Sequence, residues 1–359
     1  MKIVFFVHSL ISDWNHGNAH FIRGVISELK ERGHAVDVYE PADGWSLRNL
    51  RNEDARAEAR FVQRFPHLTS LLYHPDSLDL EGALEGADLV IVHEWNEPEL
   101  VSRIGRVRRS KEFFLVFHDT HHRAVTQPET MARFDLSDYD GVLAFGAILR
   151  DLYLERGWTR RAWTWHEAAD VRVFSPLPRA PERDLVWIGN MGDDERAQEL
   201  NEYLLEPVRA LELSGTIHGV RYSMSAQRAV AGSGLEFAGW IANHDVPRAF
   251  ARHRVTVHVP RRPYARRMPG IPTIRVFEAL ACGIPLISAP WEDSEALFRP
   301  GRDYLVASSG AEMEMHLKEV LNDGSLADQL AQNGLETIRA RHTCAHRVDE
   351  LLAIYRDAS

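Results

Sequence analysis

The stretch Pro269-Gly270-Ile271-Pro272-Thr273-Ile274-Arg275-Val276-Phe277-Glu278-Ala279-Leu280-Ala281-Cys282-Gly283-Ile284-Pro285-Leu286-Ile287 runs from a proline and glycine loop through an amphipathic segment into an apolar one. Pro272 suits the first turn of a helix and Gly283 the position just past its end. Ile274, Phe277, Leu280 and Ala281 line one face between them, so a helix is expected over 272–282. Gly270 lets the backbone approach closely or take positive φ. The free N–H groups of the first turn, beginning around Ile274, form an anion site helped by the helix dipole. Thr273 adds a hydroxyl and Arg275 a guanidinium. Glu278 falls roughly 7.5 Å further along the axis, where a carboxylate can accept hydrogen bonds from a vicinal diol. A diphosphate at the tip and a ribose one turn in is the geometry of a bound nucleotide. The plainer reading is a core helix with Glu278 facing water, and composition alone favours it.

Working outward, the chain alternates strand and helix. Lys2–Val7 is an apolar run expected as a parallel strand buried on both faces. A helix over about 18–32 follows, stopped by Gly33, and Ala35–Tyr39 is the next strand, a β-α-β unit. Further strands are expected at 87–92, 113–117 and 141–145, with a helix near 149–156. Residues 45–75 are expected as helical excursions at the domain edge. Three prolines, Pro176, Pro178 and Pro181, mark a stiff boundary. Beyond it strands are expected at 185–188, 215–219, 235–237, 255–259 and 285–289. Helices are expected at about 195–211, 311–321, 325–341 and 343–356. The fold class is α/β, with two Rossmann-like βαβ arrays facing across a cleft and ligands at the carboxyl ends of the strands. The expected domains are 1–172, 173–340 and 341–359, the last a helix returning toward the first domain.

The chain has 359 residues, 45% hydrophobic, enough for two domains of ordinary composition. A net charge of −10 argues against nucleic acid as the main partner, which needs clustered cation. Cys282 and Cys344 belong to no metal-ligand pattern and read as reduced thiols of a cytoplasmic protein. The apolar N-terminus is broken by His8, Ser9 and Asp13, and no small-residue cleavage site follows, so a first strand is expected rather than a signal peptide. No apolar stretch is long enough to span a bilayer, which leaves peripheral membrane contact open. No Gly-x-Gly-x-x-Gly follows the first strand, against a dinucleotide oxidoreductase.

The segment from Arg275 to Ile287 resembles the signature of retaining GT-B glycosyltransferases of the glycosyl transferases group 1 type. Glu278 matches the second Glu of that family's Glu-x7-Glu pattern, which holds the donor ribose. The first, which contacts the donor sugar, falls at Gly270. That departure, and His342-Thr343-Cys344-Ala345-His346-Arg347, resemble the CgeB-like (spore-maturation type) branch. The resemblance implies a nucleotide diphosphate sugar such as a UDP-sugar as donor, with Trp187-Ile188-Gly189-Asn190 as the glycine turn and Arg196 or Arg275 gripping the diphosphate. It places Gly239-Trp240-Ile241 at the base and Gly17 near the donor phosphate. Arg261, Arg262 and Tyr264 meet phosphate or acceptor, or are solvated.

In the first domain, His118-Asp119-Thr120-His121-His122-Arg123 gathers ionisable groups at a strand's carboxyl end, which suggests a site. The resemblance implies catalytic roles for His118 and Asp119, and places His16, Asn18, His93, Glu94 and His121 toward the acceptor. His93-Glu94 also reads as a polar surface loop. The family needs no bound metal and no cofactor. The function so implied is a hexosyltransferase-like enzyme that moves a sugar to a hydroxyl of a small molecule, glycan or natural product with retained configuration. The alternatives are a sugar-nucleotide epimerase of the same fold and a catalytically silent nucleotide-binding protein.

Overall fold

Five-residue runs of branched and aromatic side chains, buried on both faces, build the centre of the first sheet. The structure is a computed structural model that describes residues 1–192 and 195–358. Its strands are β1 (Lys2–Phe6), β2 (Ala35–Pro41), β3 (Leu71–Tyr73), β4 (Leu89–His93), β5 (Phe114–Asp119), β6 (Gly141–Ala144) and β7 (Ala162–Thr164). The order is β3-β2-β1-β4-β5-β6-β7, all parallel. The direction of winding reverses between β1 and β4, which opens a crevice at their carboxyl ends. The register pairs His93 with His118, so β4 and β5 end level.

A second sheet contains β8 (Arg183–Ile188), β9 (Gly215–His218), β10 (Leu235–Phe237), β11 (His253–His258), β12 (Leu286–Ser288) and β13 (Leu305–Val306). It is parallel in the order β10-β9-β8-β11-β12-β13, and its winding reverses between β8 and β11. Leu185, Val255 and Ile287 from these strands share a core with Val208 and Leu317 of the covering helices.

The chain divides into two units, Met1–Glu167 with Cys344–Ser359, and Ala168–Thr343. The limits expected at 172/173 and 340/341 compare with divisions at 167/168 and 343/344. Ser359, the last residue of the expected C-terminal segment, lies outside the described residues. Helix Ala19–Glu31 buries Phe21, Val25, Ile26 and Leu29, and helix Cys344–Ala358 packs on it within the first unit. Trp165 Nε1 donates to the Arg347 carbonyl at 2.8 Å and ties the same helix to the end of the first sheet. Each unit holds one buried cysteine outside any disulfide, Cys344 in the first and Cys282 in the second.

Three local expectations change. Part of 45–75 is not helical: Leu71–Tyr73 adds an edge strand beside β2. The run expected as one helix over 195–211 contains a π-helical turn, Asn201–Leu205, between two α-helical pieces. Pro207 follows it, and a proline has no N–H to continue the regular ladder. The helix expected from 272 starts at Ile274, with Pro272 outside it. Thr273 keeps extended backbone (φ −80°, ψ 159°) and its side chain does not cap the helix.

Candidate functional site

At the reversal point of the second sheet, three loops supply cations. Arg196 follows β8 and is 9% exposed. It donates to the Asn190 carbonyl at 2.6 Å, to Asn190 Oδ1 at 3.0 Å and to the Val259 carbonyl at 3.1 Å, which joins the loops after β8 and β11. Its guanidinium lies 5.1 Å from the Trp187 ring centre. Arg261 reaches the same Asn190 Oδ1 at 3.1 Å and Glu195 at 3.1 Å. Burial first, then the positive charges of Arg261 and Arg275, push the Arg196 guanidinium down from its ordinary range. Three guanidinium groups thus share one electrostatic neighbourhood, a field that favours a multiply charged anion. Arg262 instead pairs with Glu199 at 2.7 Å.

Glu278 is fully buried on helix Ile274–Cys282. Arg275, three residues earlier, forms an ion pair with it, and Asn243 Nδ2 stands 3.5 Å from Oε1. The guanidinium expected on phosphate is therefore already engaged with the carboxylate expected on ribose. No acidic residue occupies the first turn of this helix, whose N–H groups favour negative charge. Thr273 Oγ1 and His258 Nε2 lie 3.0 Å apart, and His258 Nδ1 is 2.8 Å from Ser288 Oγ. Burial and then Arg196 push the His258 imidazole down to about 3, so it is neutral near pH 7. Gly270 has φ +84° and donates to the Glu292 carbonyl at 2.7 Å. Gly189 receives the Tyr222 hydroxyl on its carbonyl at 3.0 Å, and a Cβ on Gly219 would collide with that same carbonyl. Trp240 and Ile241 are half-buried just beyond β10.

Glu278, Arg275, Thr273, Asn190 and Arg196, each expected at the donor, thus lie round one helix start and the two loops facing it. His258 and Asn243 were missed. His258 ends the strand His253–His258, a polar residue at a strand's carboxyl end, which is a signal of the kind that drew attention to His118.

In the first unit, Asp119 is fully buried, with Oδ2 accepting from the Tyr153 hydroxyl at 2.8 Å and Oδ1 from the His121 N–H at 3.0 Å. His118 is buried against Trp165, with ring centres 4.8 Å apart, and burial pushes its imidazole down to about 3. It lines a small, mainly apolar cavity with Phe21, His93 and Trp165. His93 lies 3.1 Å from Thr120 Oγ1 and edge-on to His118 and His16. Glu94 is buried and paired with Arg123, which stacks 4.1 Å from the Trp95 ring centre. Burial pushes the Glu94 carboxyl up, with Arg123 pulling against it. Asn18 donates to Glu167 at 3.1 Å, and Gly17 and His121 are half-buried in the flanking loops. Among the described residues no group of three or more His, Cys, Asp or Glu side chains is placed to hold a metal ion, and no helix is long and apolar enough to cross a membrane.

Residues 196–353 match the family model described as "Glycosyl transferase-like". No curated protein matches the sequence. Among solved structures, the chain is similar to sucrose-phosphate synthase from Thermosynechococcus elongatus (16% identity, 99% of this chain and 98% of that chain, TM-score 0.68). It is likewise similar to HepE of Anabaena, solved with UDP and glucose (14% identity, 99% of each chain, TM-score 0.69). The T4 phage β-glucosyltransferase with its UDP-glucose substrate aligns at 12% identity over 100% of this chain and 99% of that chain, with a TM-score of 0.61. The fold is that of GT-B glycosyltransferases: two Rossmann-like units, each on a parallel sheet.

Proposed function

We propose that the protein is a glycosyltransferase that moves a sugar from a UDP-sugar to an acceptor hydroxyl, with retained configuration and without a metal ion. The observation that carries this reading is the buried Glu278 one turn inside a helix whose start is surrounded by Arg196, Arg261 and Arg275. The diphosphate would sit on the first-turn N–H groups within that cationic field, and the ribose hydroxyls on Glu278. The dominant catalytic contribution would be electrostatic, because charge grows on the departing diphosphate and the N–H groups and guanidinium groups are already in place. That supply of fixed positive charge does what a metal ion does in other transferases. No enzymic nucleophile is needed if the leaving phosphate takes the acceptor proton, as the resemblance to retaining enzymes implies. His118, kept neutral by burial, would touch the sugar. Asp119, with both oxygens engaged, would act as a positioning residue for the strand end. The resemblance of Arg275-x-Phe277-Glu278-Ala279-x-Ala281-Cys282-Gly283 to the CgeB-like branch supports membership of that branch, and two thiols outside any disulfide suit a cytoplasmic setting.

The test is UDP release from UDP-glucose and other UDP-sugars, with and without EDTA, across an acceptor panel. Acceptor-dependent release that survives EDTA is expected. A new sugar nucleotide formed from donor alone would mean an epimerase. Tight UDP binding with no turnover on any acceptor would mean a silent binder.

A further inference from the structure

The carboxyl ends of β1, β2 and β4 are followed by Trp14, Trp45 and Trp95, each half-buried. Trp14 and Trp45 stand edge to face, with ring centres 5.5 Å apart at 88°. His8 is the hub between the others, 5.5 Å from Trp45, 5.9 Å from Trp95 and 5.2 Å from His16.

The loops that carry these rings are braced. Ser12 Oγ and Ser46 Oγ lie 2.8 Å apart, and Ser46 Oγ donates to the Trp14 carbonyl at 2.8 Å, which ties Trp14 to the turn bearing Trp45. Buried Glu40 accepts the N–H groups of Leu10 and Ile11. Buried Arg23 donates to the carbonyls of Leu10 and Ile11 and pairs with Asp13 at 2.9 Å. A site held this way loses little freedom on binding.

Polar atoms between the rings complete the picture. His8 Nε2, His16 Nε2 and Glu94 Oε1 are buried and have no hydrogen-bond partner among the described residues, and their residues are 7%, 6% and 0% exposed. A buried polar atom left unmet is costly, so an occupant that offers hydroxyls is favoured over an apolar one. Burial keeps His8 and His16 neutral, so the imidazoles offer no charge to recruit an ionic ligand, and Arg123 is held against Glu94 and the Trp95 ring. Indoles at 88° give no parallel pair to sandwich a flat aromatic ring. They do suit a puckered ring with apolar C–H faces and a hydroxyl rim.

We propose that Trp14, Trp45 and Trp95, with His8, His16 and Glu94 between them, form a binding platform for an uncharged saccharide. As the acceptor subsite it rests on the transferase reading above. As a saccharide site it stands or falls separately.

The experiment uses the full chain, with maltose, cellobiose and lactose as probes, read by tryptophan fluorescence and calorimetry. Saturable binding of at least one disaccharide is expected. Trp45→Ala and Trp95→Ala should each weaken it about tenfold or more, and Trp45→Phe, which keeps a ring, by less. UDP affinity and circular dichroism report whether each variant is folded. No binding of any of the three sugars by the folded wild type overturns the proposal, as does 4-nitrophenol binding that Trp45→Ala abolishes while sugar binding is unaffected. Sugar binding that persists in a protein unable to bind UDP supports the platform and sinks the donor reading instead.

Discussion

The side chain of Glu295 fills the space that a side chain on Gly270 would need: a Cβ there would stand 2.6 Å from Glu295 Oε1 and 2.8 Å from its Cγ. Gly270 also has φ +84°, which L residues adopt at a cost of about 1–2 kcal/mol. Gly270→Ala is therefore expected to lower the thermal midpoint by about 3–8 °C. Adding Glu295→Ala should recover the steric part and leave the backbone part. Gly270→Glu, which restores the residue of the resembling family, should destabilise more than Gly270→Ala. A Gly270→Glu protein as stable as the parent would contradict the crowding described.

Glu278→Gln should weaken UDP binding by about ten- to a hundredfold, since hydrogen bonds to a charged group are worth about 1.5–3 kcal/mol each. Calorimetry with UDP reads this directly. The same substitution releases Arg275 from its ion pair, so affinity for inorganic pyrophosphate should hold or rise while that for UDP falls. Parallel losses for both ligands would place Glu278 in a structural role.

Arg196→Lys keeps the charge but loses the planar fork that grips Asn190 and Val259 together. Turnover is expected to fall by about tenfold or more, with a smaller change in UDP affinity, if the guanidinium acts mainly as charge develops on the leaving group. Equal loss in both would assign it to ground-state binding.

Acid should loosen the fold well above the carboxylate range. His8 is pushed down to about 4, His118 and His258 to about 3, and His16 and His93 lie well below 6.5, in each case first by burial. These groups bind fewer protons folded than unfolded. Their contribution is complete above pH 6.5 and is lost as pH falls toward 4, at about 1.4 kcal/mol per pH unit for each histidine. Glu40, Glu94 and Asp119, raised by burial, act in the opposite sense. His34, His218 and His253 are lowered by burial as well, so lowered histidines outnumber raised carboxyls and the midpoint should drop between pH 7 and pH 5. A flat or rising profile over that window would show that these imidazoles are not buried neutral.

Arg23→Ala removes one partner of a buried pair with Asp13 and two carbonyl contacts, and is expected to cost about 3–5 kcal/mol. Denaturant unfolding measures it. Arg23→Met, which keeps the packing against Phe61 and Phe65, should cost less.

Central strands were legible because burial on both faces writes itself as unbroken apolar runs, as in Leu89–His93 and Phe114–Asp119. Three of the four edge strands were not, while β10 was expected at 235–237. In β3, Leu71 and Leu72 are 46% and 44% exposed, and three residues carry no period. β7 and β13 are as short. In the site, Glu278 and Arg275 could be read because helical geometry relates them locally. Asn243 and His258 approach from other strand ends, and a contact between residues 35 apart in sequence leaves no spacing to recognise. The tryptophans had a different obstacle, since three indoles scattered over 82 positions look like ordinary core residues until the sheet order brings their strands side by side.

The distribution of the thiols has a practical outcome. Cys282 and Cys344 are 9% and 1% exposed, and burial, with the Glu278 charge, pushes the Cys282 thiol well above its ordinary range. Neither should react with an alkylating reagent while its own unit stays closed. Because each unit carries one, mass-resolved alkylation timed against denaturant would clock the opening of the two halves independently, with no label engineered into the chain.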